Sequence, residues 1–171
     1  EYDLSVEQHL EDFLSEVTVK GVALDSSAVF TFCLNPGLTI HSVHSAGQQL
    51  KFKRDKQIVL VDFGTKHAKG DTISATFRYD GQIDNSFCYL DIPPEVLQAS
   101  NKKFLFNIDK QYSFQTKNYL MLTPETYWYP RAGTSYSDKN PDWQQTYFSN
   151  YRLKVKPLPG LVPLSQGEGK C

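Results

Sequence analysis

Four histidines, three cysteines and a scatter of carboxylates are the groups in this 171-residue chain that could hold a metal or move a proton. A zinc site needs ligands that converge on one point, and a His-Glu-x-x-His helix achieves this by placing two imidazoles on one face beside a glutamate. The chain contains no such pattern. His41 and His44 stand three apart in an apparent strand and turn, where an odd separation sends side chains to opposite faces unless a bulge intervenes. They read as surface or hairpin histidines, and His9 and His67 are isolated. Cys33, Cys88 and Cys171 show no Cys-x-x-Cys spacing. Cys33 and Cys88 each lie in an apolar run, where a buried thiol behaves as a small hydrophobe; a disulfide between them is the alternative. There is no Gly-x-Ser-x-Gly elbow and no glycine-rich phosphate loop. Asp80 and Asp84 flank a turn, as do Asp138 and Asp142 around Asn-Pro, and turn formation accounts for both pairs more readily than a calcium site does. The chain is therefore expected to carry no catalytic residue and no metal or other cofactor of its own.

The aromatic residues are the other chemistry on offer. An irregular stretch from Thr123 to Tyr147, rich in Pro, Tyr and Trp, is too long for a simple hairpin, and long ordered loops in compact domains are often functional. Within it Tyr127, Trp128 and Tyr129 stand beside Pro130 and Arg131, with Trp143 further on. Large aromatics there can plug the open end of a sandwich, form an interface with another domain, or stack on a ligand. The last use defines an alternative function, a carbohydrate-binding module that stacks sugars on Trp128, Trp143 and Tyr136.

The elements that must position these groups are strands. Tyr2, Leu4 and Val6 alternate with polar residues and share one face of an extended segment. From His9 to Val17 the spacing of Leu10, Phe13, Leu14 and Val17 fits a helix, while Phe13 to Val19 also reads as a strand. Ala28 to Leu34 is strand-like and stops at Asn35-Pro-Gly37. Leu38 to Val43, Gln49 to Lys53, Gln57 to Phe63 and Thr72 to Tyr79 follow, the last grouping Ile73, Ala75, Phe77 and Tyr79. A short helical turn is expected at Pro94–Ala99, a strand at Phe104–Ile108, and from Pro157 an extended tail with a tight turn on the way to another strand. Turn signals every ten residues or so between short alternating strands predict an all-β fold: a single antiparallel β-sandwich domain of two saddle-like sheets spanning 1–171, with at most one or two short helices.

Eighteen basic residues balance nineteen acidic ones, so the field that phosphate backbones require of a partner is missing and nucleic acid is excluded as one. No stretch approaches the roughly 20 apolar residues of a spanning helix, so no direct membrane insertion by this chain is expected. The first residue is Glu1 and the tail is Gly-Glu-Gly-Lys-Cys171; both ends read as cuts in a longer polypeptide.

The order of segments is more specific than any one of them. Phe30-Thr-Phe-Cys-Leu-Asn-Pro-Gly-Leu-Thr-Ile-His-Ser-Val43, then Gly47, Leu50-Lys-Phe52, Gly70-Asp71 and Phe77-Arg-Tyr-Asp-Gly81, resembles the amino-terminal domain of the aminopeptidase N family of zinc metallopeptidases. Thr126-Tyr-Trp-Tyr-Pro-Arg131, Tyr147-Phe-Ser-Asn-Tyr-Arg-Leu-Lys-Val-Lys-Pro157 and Val162-Pro-Leu-Ser-Gln-Gly167 extend the resemblance over essentially the whole chain. The Trp-Tyr-Pro corner resembles bacterial members, some joined to membrane-spanning permease-like segments, which implies an extracytoplasmic parent, periplasmic or at the cell surface, with a membrane anchor. The resemblance also implies a catalytic domain beyond residue 171 that holds zinc and acts on peptide substrates. This chain would pack on that domain as its intramolecular partner and help wall the cleft. Family members offer a Gln or Glu from the loop before the Pro corner to the substrate's free amine, and Glu125 is the nearest residue here. The family's Gln-x-Glu-x-x-x-Ala-Arg context is absent around it, so a surface turn glutamate is the favoured reading and the amine-facing role the alternative.

Overall fold

A computed structural model describes residues 1–85, 87, 113–133 and 149–169. The segments expected at 94–99 and 104–108 lie outside these residues, as do Cys88, Tyr136, Asp138, Asp142, Trp143 and Cys171.

The described residues form twelve strands: β1 (Tyr2–Gln8), β2 (Phe13–Val22), β3 (Ser27–Cys33), β4 (Leu38–Ser45), β5 (Gln48–Gln49), β6 (Lys51–Asp55), β7 (Ile58–His67), β8 (Thr72–Gly81), β9 (Ser113–Gln115), β10 (Leu120–Leu122), β11 (Arg131–Ala132) and β12 (Tyr151–Lys156). One sheet runs β12-β1-β2-β8-β4-β5, a second β11-β3-β7-β6, and β9 with β10 makes a separate hairpin. Pairing is antiparallel throughout except between β1 and β12, which run parallel. The only helix among the described residues is a single 3-10 turn, Pro124–Thr126. The fold is thus an all-β sandwich, and of the two expectations for residues 9–17 the strand is the one formed.

Period-two patterning explains the layers. In β2, Phe13, Ser15, Val17 and Val19 are buried while Glu16 and Lys20 are exposed; in β8, Ala75, Phe77 and Tyr79 are buried and Arg78 is exposed. One face of each strand therefore points at the second sheet, whose Phe32, Val59 and Val61 complete the core. Phe32 and Phe77 meet across the layers edge to face, with ring centroids 5.0 Å apart. On the outer face of the larger sheet, Thr18 and Thr76 share a hydroxyl hydrogen bond of 2.9 Å. Arg152 lies 3.7 Å from Asp3, and Lys156 Nζ donates to Glu7 at 2.7 Å. That face is solvated and polar.

Candidate functional site

The functional residues expected before Pro130 sit on a corner that joins the β9–β10 hairpin to β11. β10 ends at Leu122, and Thr123 leads into the 3-10 turn, where Thr126 Oγ1 donates to the Thr123 carbonyl at 2.7 Å. The chain leaves the turn through Tyr127, whose φ of 50° and ψ of 39° are left-handed. That conformation is uncommon for an aromatic residue and persists only where the surroundings impose it.

Three successive carbonyls impose it. The Asn35 side-chain amide donates to Thr126 O at 2.9 Å, the Asn35 backbone N–H donates to Tyr127 O at 2.9 Å, and the Tyr79 hydroxyl donates to Trp128 O at 2.8 Å. Asn35 is fully buried. Its amide also donates to Asp84 O at 3.1 Å, and its side-chain oxygen accepts from the N–H groups of Gly37 at 2.9 Å and Asp84 at 2.8 Å. One residue thereby ties together the turn after β3, the segment after β8 and the aromatic corner. Burial pushes the Tyr79 phenol far above its usual range, so it stays a neutral donor.

Close backbone packing surrounds this junction. A Cβ on Gly37 would fall 2.3 Å from Gln82 O, and one on Gly81 would fall 2.6 Å from Gly37 O. Gly81 also holds φ at +131°; no side chain fits at either position. Arg54 closes the loop from the other side, its guanidinium donating to the carbonyls of Leu34, Asn35, Leu38 and Lys56. Burial lowers its pKa.

The corner's aromatic residues turn inward. Trp128 is only 9% exposed and belongs to the core, meeting Tyr129 at 4.9 Å, and Tyr129 in turn meets Tyr2 at 5.4 Å, both contacts edge to face. Pro130 is fully buried. Tyr127 is buried under the Arg131 guanidinium, 5.7 Å from its ring centroid. In this packing Trp128 presents little open ring face of the kind stacking requires.

Glu125 differs from its neighbours. It is half-buried, and its Oε2 is shut off from solvent and without a hydrogen-bond donor among the described residues. A carboxylate oxygen in that state lacks the partners that normally offset desolvation. Chemically it is an acceptor without a donor among the described residues.

The histidines do not converge. A bulge between Ile40 and Ser42 in β4 sets His41 on the outer face, with Nε2 2.9 Å from Asp80 Oδ2, while His44 pairs with Gln49 across the hairpin. No group of three His, Cys, Asp or Glu side chains among the described residues is placed to hold a metal. Cys33 is buried, its Sγ 3.3 Å from Gly133 O. No helix among the described residues is long and apolar enough to cross a membrane.

No protein-family model matches the chain, and no curated protein matches it. Solved structures do. The chain is similar to M1 zinc metallopeptidases. The M1 zinc metallopeptidase of Deinococcus radiodurans is 21% identical with a TM-score of 0.46, over 53% of this chain and 21% of that one. A two-domain M1 zinc metallopeptidase variant bound to L-tryptophan is 20% identical with a TM-score of 0.46, over 50% of this chain and 20% of its own. This chain thus spans about one fifth of the length of those structures.

Glu125 and the aromatic residues are visible in the sequence as candidates, whereas Asn35, Tyr79 and Arg54, which hold the corner and the turn beside it, are not. Asn35 in Asn-Pro-Gly reads as ordinary turn chemistry. Nothing local signals that its amide reaches a residue 91 positions away.

Proposed function

We propose that this chain is the non-catalytic amino-terminal β-sandwich of a zinc aminopeptidase, that it packs on the catalytic domain and helps wall the substrate cleft, and that Glu125 faces the free amine of the peptide. The observation that carries the reading is the Glu125 carboxylate, buried at one oxygen, lacking a donor among the described residues, and mounted on a corner held by three hydrogen bonds from Asn35 and Tyr79. The succession of segments from Phe30 to Gly81 and the Thr126–Arg131 corner support it from the sequence side. A free ammonium group supplies the charge and the N–H donors that this oxygen lacks. The described residues do not fit a zinc ion, since no set of ligands converges. The metal and the general base belong in this reading to the polypeptide beyond residue 171, and this chain contributes shape and one acceptor. The resemblance of the Trp-Tyr-Pro corner to bacterial members supports the further proposal that the parent lies outside the cytoplasm and is anchored to a membrane.

The test compares the full-length gene product with the 171-residue chain on an aminoacyl-anilide substrate. Chelator-sensitive hydrolysis by the former and none by the latter is expected. Hydrolysis by the purified 171-residue chain, or its absence from the full-length protein together with failure to bind amino-acid amides, overturns the reading.

A further inference from the structure

We infer that Asn35 and Tyr79 are positioning residues for Glu125: by holding the carbonyls of Thr126, Tyr127 and Trp128 they fix the direction in which the Glu125 carboxylate meets a primary ammonium group. The inference rests on the proposed role of Glu125 and adds the device that makes this role possible.

The 3-10 turn that carries Glu125 is short and is helped from within by one close side-chain bond, Thr126 Oγ1 to Thr123 O at 2.7 Å. It is three residues long, and its internal backbone bonds, Thr126 N–H to Thr123 O at 3.1 Å and Tyr127 N–H to Pro124 O at 3.3 Å, are at the long end of the range. Its exit residue, Tyr127, takes a left-handed conformation that side chains with a Cβ avoid. Freed of external bonds, this turn would relax at Tyr127, and the residue two places before would swing with it. The three outside donors remove that freedom. Two come from Asn35, in the turn that follows the smaller sheet's β3, and one from Tyr79, in β8 of the larger sheet. The corner is therefore referenced to both layers of the sandwich. Both donors are themselves fixed: Asn35 uses every side-chain hydrogen-bonding atom on a backbone group, and Tyr79 is fully buried. An acceptor whose direction is set in advance binds its cation without further ordering cost.

The experiment titrates the full-length gene product, with a chelator present to stop turnover, with L-leucinamide and with 4-methylpentanamide, which is the same molecule without the amine, by calorimetry. Tyr79→Phe removes one clamp donor and keeps the ring that fills the core. It is expected to weaken leucinamide binding by about 10-fold, the scale of one charge-assisted hydrogen bond, and to leave 4-methylpentanamide binding unchanged. In a Glu125→Ala background Tyr79→Phe is expected to cost leucinamide nothing more, because the group it positions is gone. Asn35→Asp, which keeps the oxygen facing the N–H groups of Gly37 and Asp84 and loses the amide that reaches the carbonyls of Thr126 and Asp84, supplies a second variant should Tyr79→Phe fail to fold. Equal weakening of both ligands, or losses that multiply in the double variant, shows a merely structural role and overturns the inference while the role of Glu125 stands. A Glu125→Ala protein that binds leucinamide as tightly as the parent overturns both.

Discussion

At the scale of single residues, the tyrosine that clamps the corner has a consequence for pH. Burial raises the Tyr79 phenol, and burial also raises Tyr2, against smaller lowering effects from the Ala132 backbone and Arg131. Both groups keep their protons in the folded state at a pH where the unfolded chain releases them, that is, above about 10. Their contribution to stability is present in full below that pH and is lost as pH rises beyond it, because the unfolded state then binds fewer protons than the folded one. Each retained proton is worth about 1.4 kcal/mol per pH unit of slope in that window. Urea unfolding followed from about pH 8 to about pH 11.5 is expected to show stability falling at the alkaline end, with a shallower fall in Tyr79→Phe. A profile with the same slope in both proteins would show that the Tyr79 proton is not held by the fold. Asn35 gives the complementary lesson about chemistry without charge, since a neutral amide satisfied on every side can join three segments without the cost of a buried ion.

At the scale of elements, the sheets should open from their edges inward. β2 and β8 lie at the centre of the larger sheet and pair over ten residues, from Phe13 opposite Gly81 to Val22 opposite Thr72. β12 pairs with one neighbour, and all its residues but Leu153 are exposed. Hydrogen exchange is therefore expected to be slowest for the amides of β2 and β8 and faster by orders of magnitude in β12 and β5. Equal protection in β12 and β8 would contradict this ranking. The same contrast separates what was legible in the sequence from what was not. The inward faces of β1, β2 and β8 follow from local alternation, and Val6, Val17 and Phe77 lie where that alternation puts them. The helical spacing of Leu10, Phe13, Leu14 and Val17 lost to the sheet because Phe13, Ser15, Val17 and Val19 find partners along the whole of β8, a gain no local pattern reports. Parallel pairing of β12 to β1 joins residues about 150 positions apart and leaves no mark at short range. The tight turn expected in the tail after Pro157 is formed, with Leu161 N–H donating to Leu158 O at 3.1 Å, and residues 161–169 beyond it are irregular. The candidate site divides the same way: a glutamate and three aromatics before a proline could be read directly, whereas the donors that hold them lie on distant strands.

At the scale of the whole molecule, the competing sources of stability are the core between the layers and the charges on the outer face. The charges nearly cancel, at −1 overall, and the ion pairs on the outer face join exposed side chains, with Arg152 and Lys156 each 74% exposed. Pairs of that kind gain little from attraction through water and lose it to salt. The core offers no such escape. Phe77 is fully buried and touches Phe32 across the sandwich, so Phe77→Ala removes a large apolar group from a packed layer and leaves a cavity, at a cost of about 3–5 kcal/mol. The two contributions can be told apart in one set of urea titrations: Phe77→Ala is expected to move the unfolding midpoint strongly at any ionic strength, whereas raising sodium chloride should leave the parent's midpoint almost where it was. A parent midpoint that falls steeply with salt would instead mean that the lattice of charges on β1 and β12 holds the larger sheet together. The outcome bears on function because the clamp residues belong to the core side: if the core sets stability, Asn35 and Tyr79 hold the Glu125 corner with the same rigidity whatever the ionic surroundings of the protein.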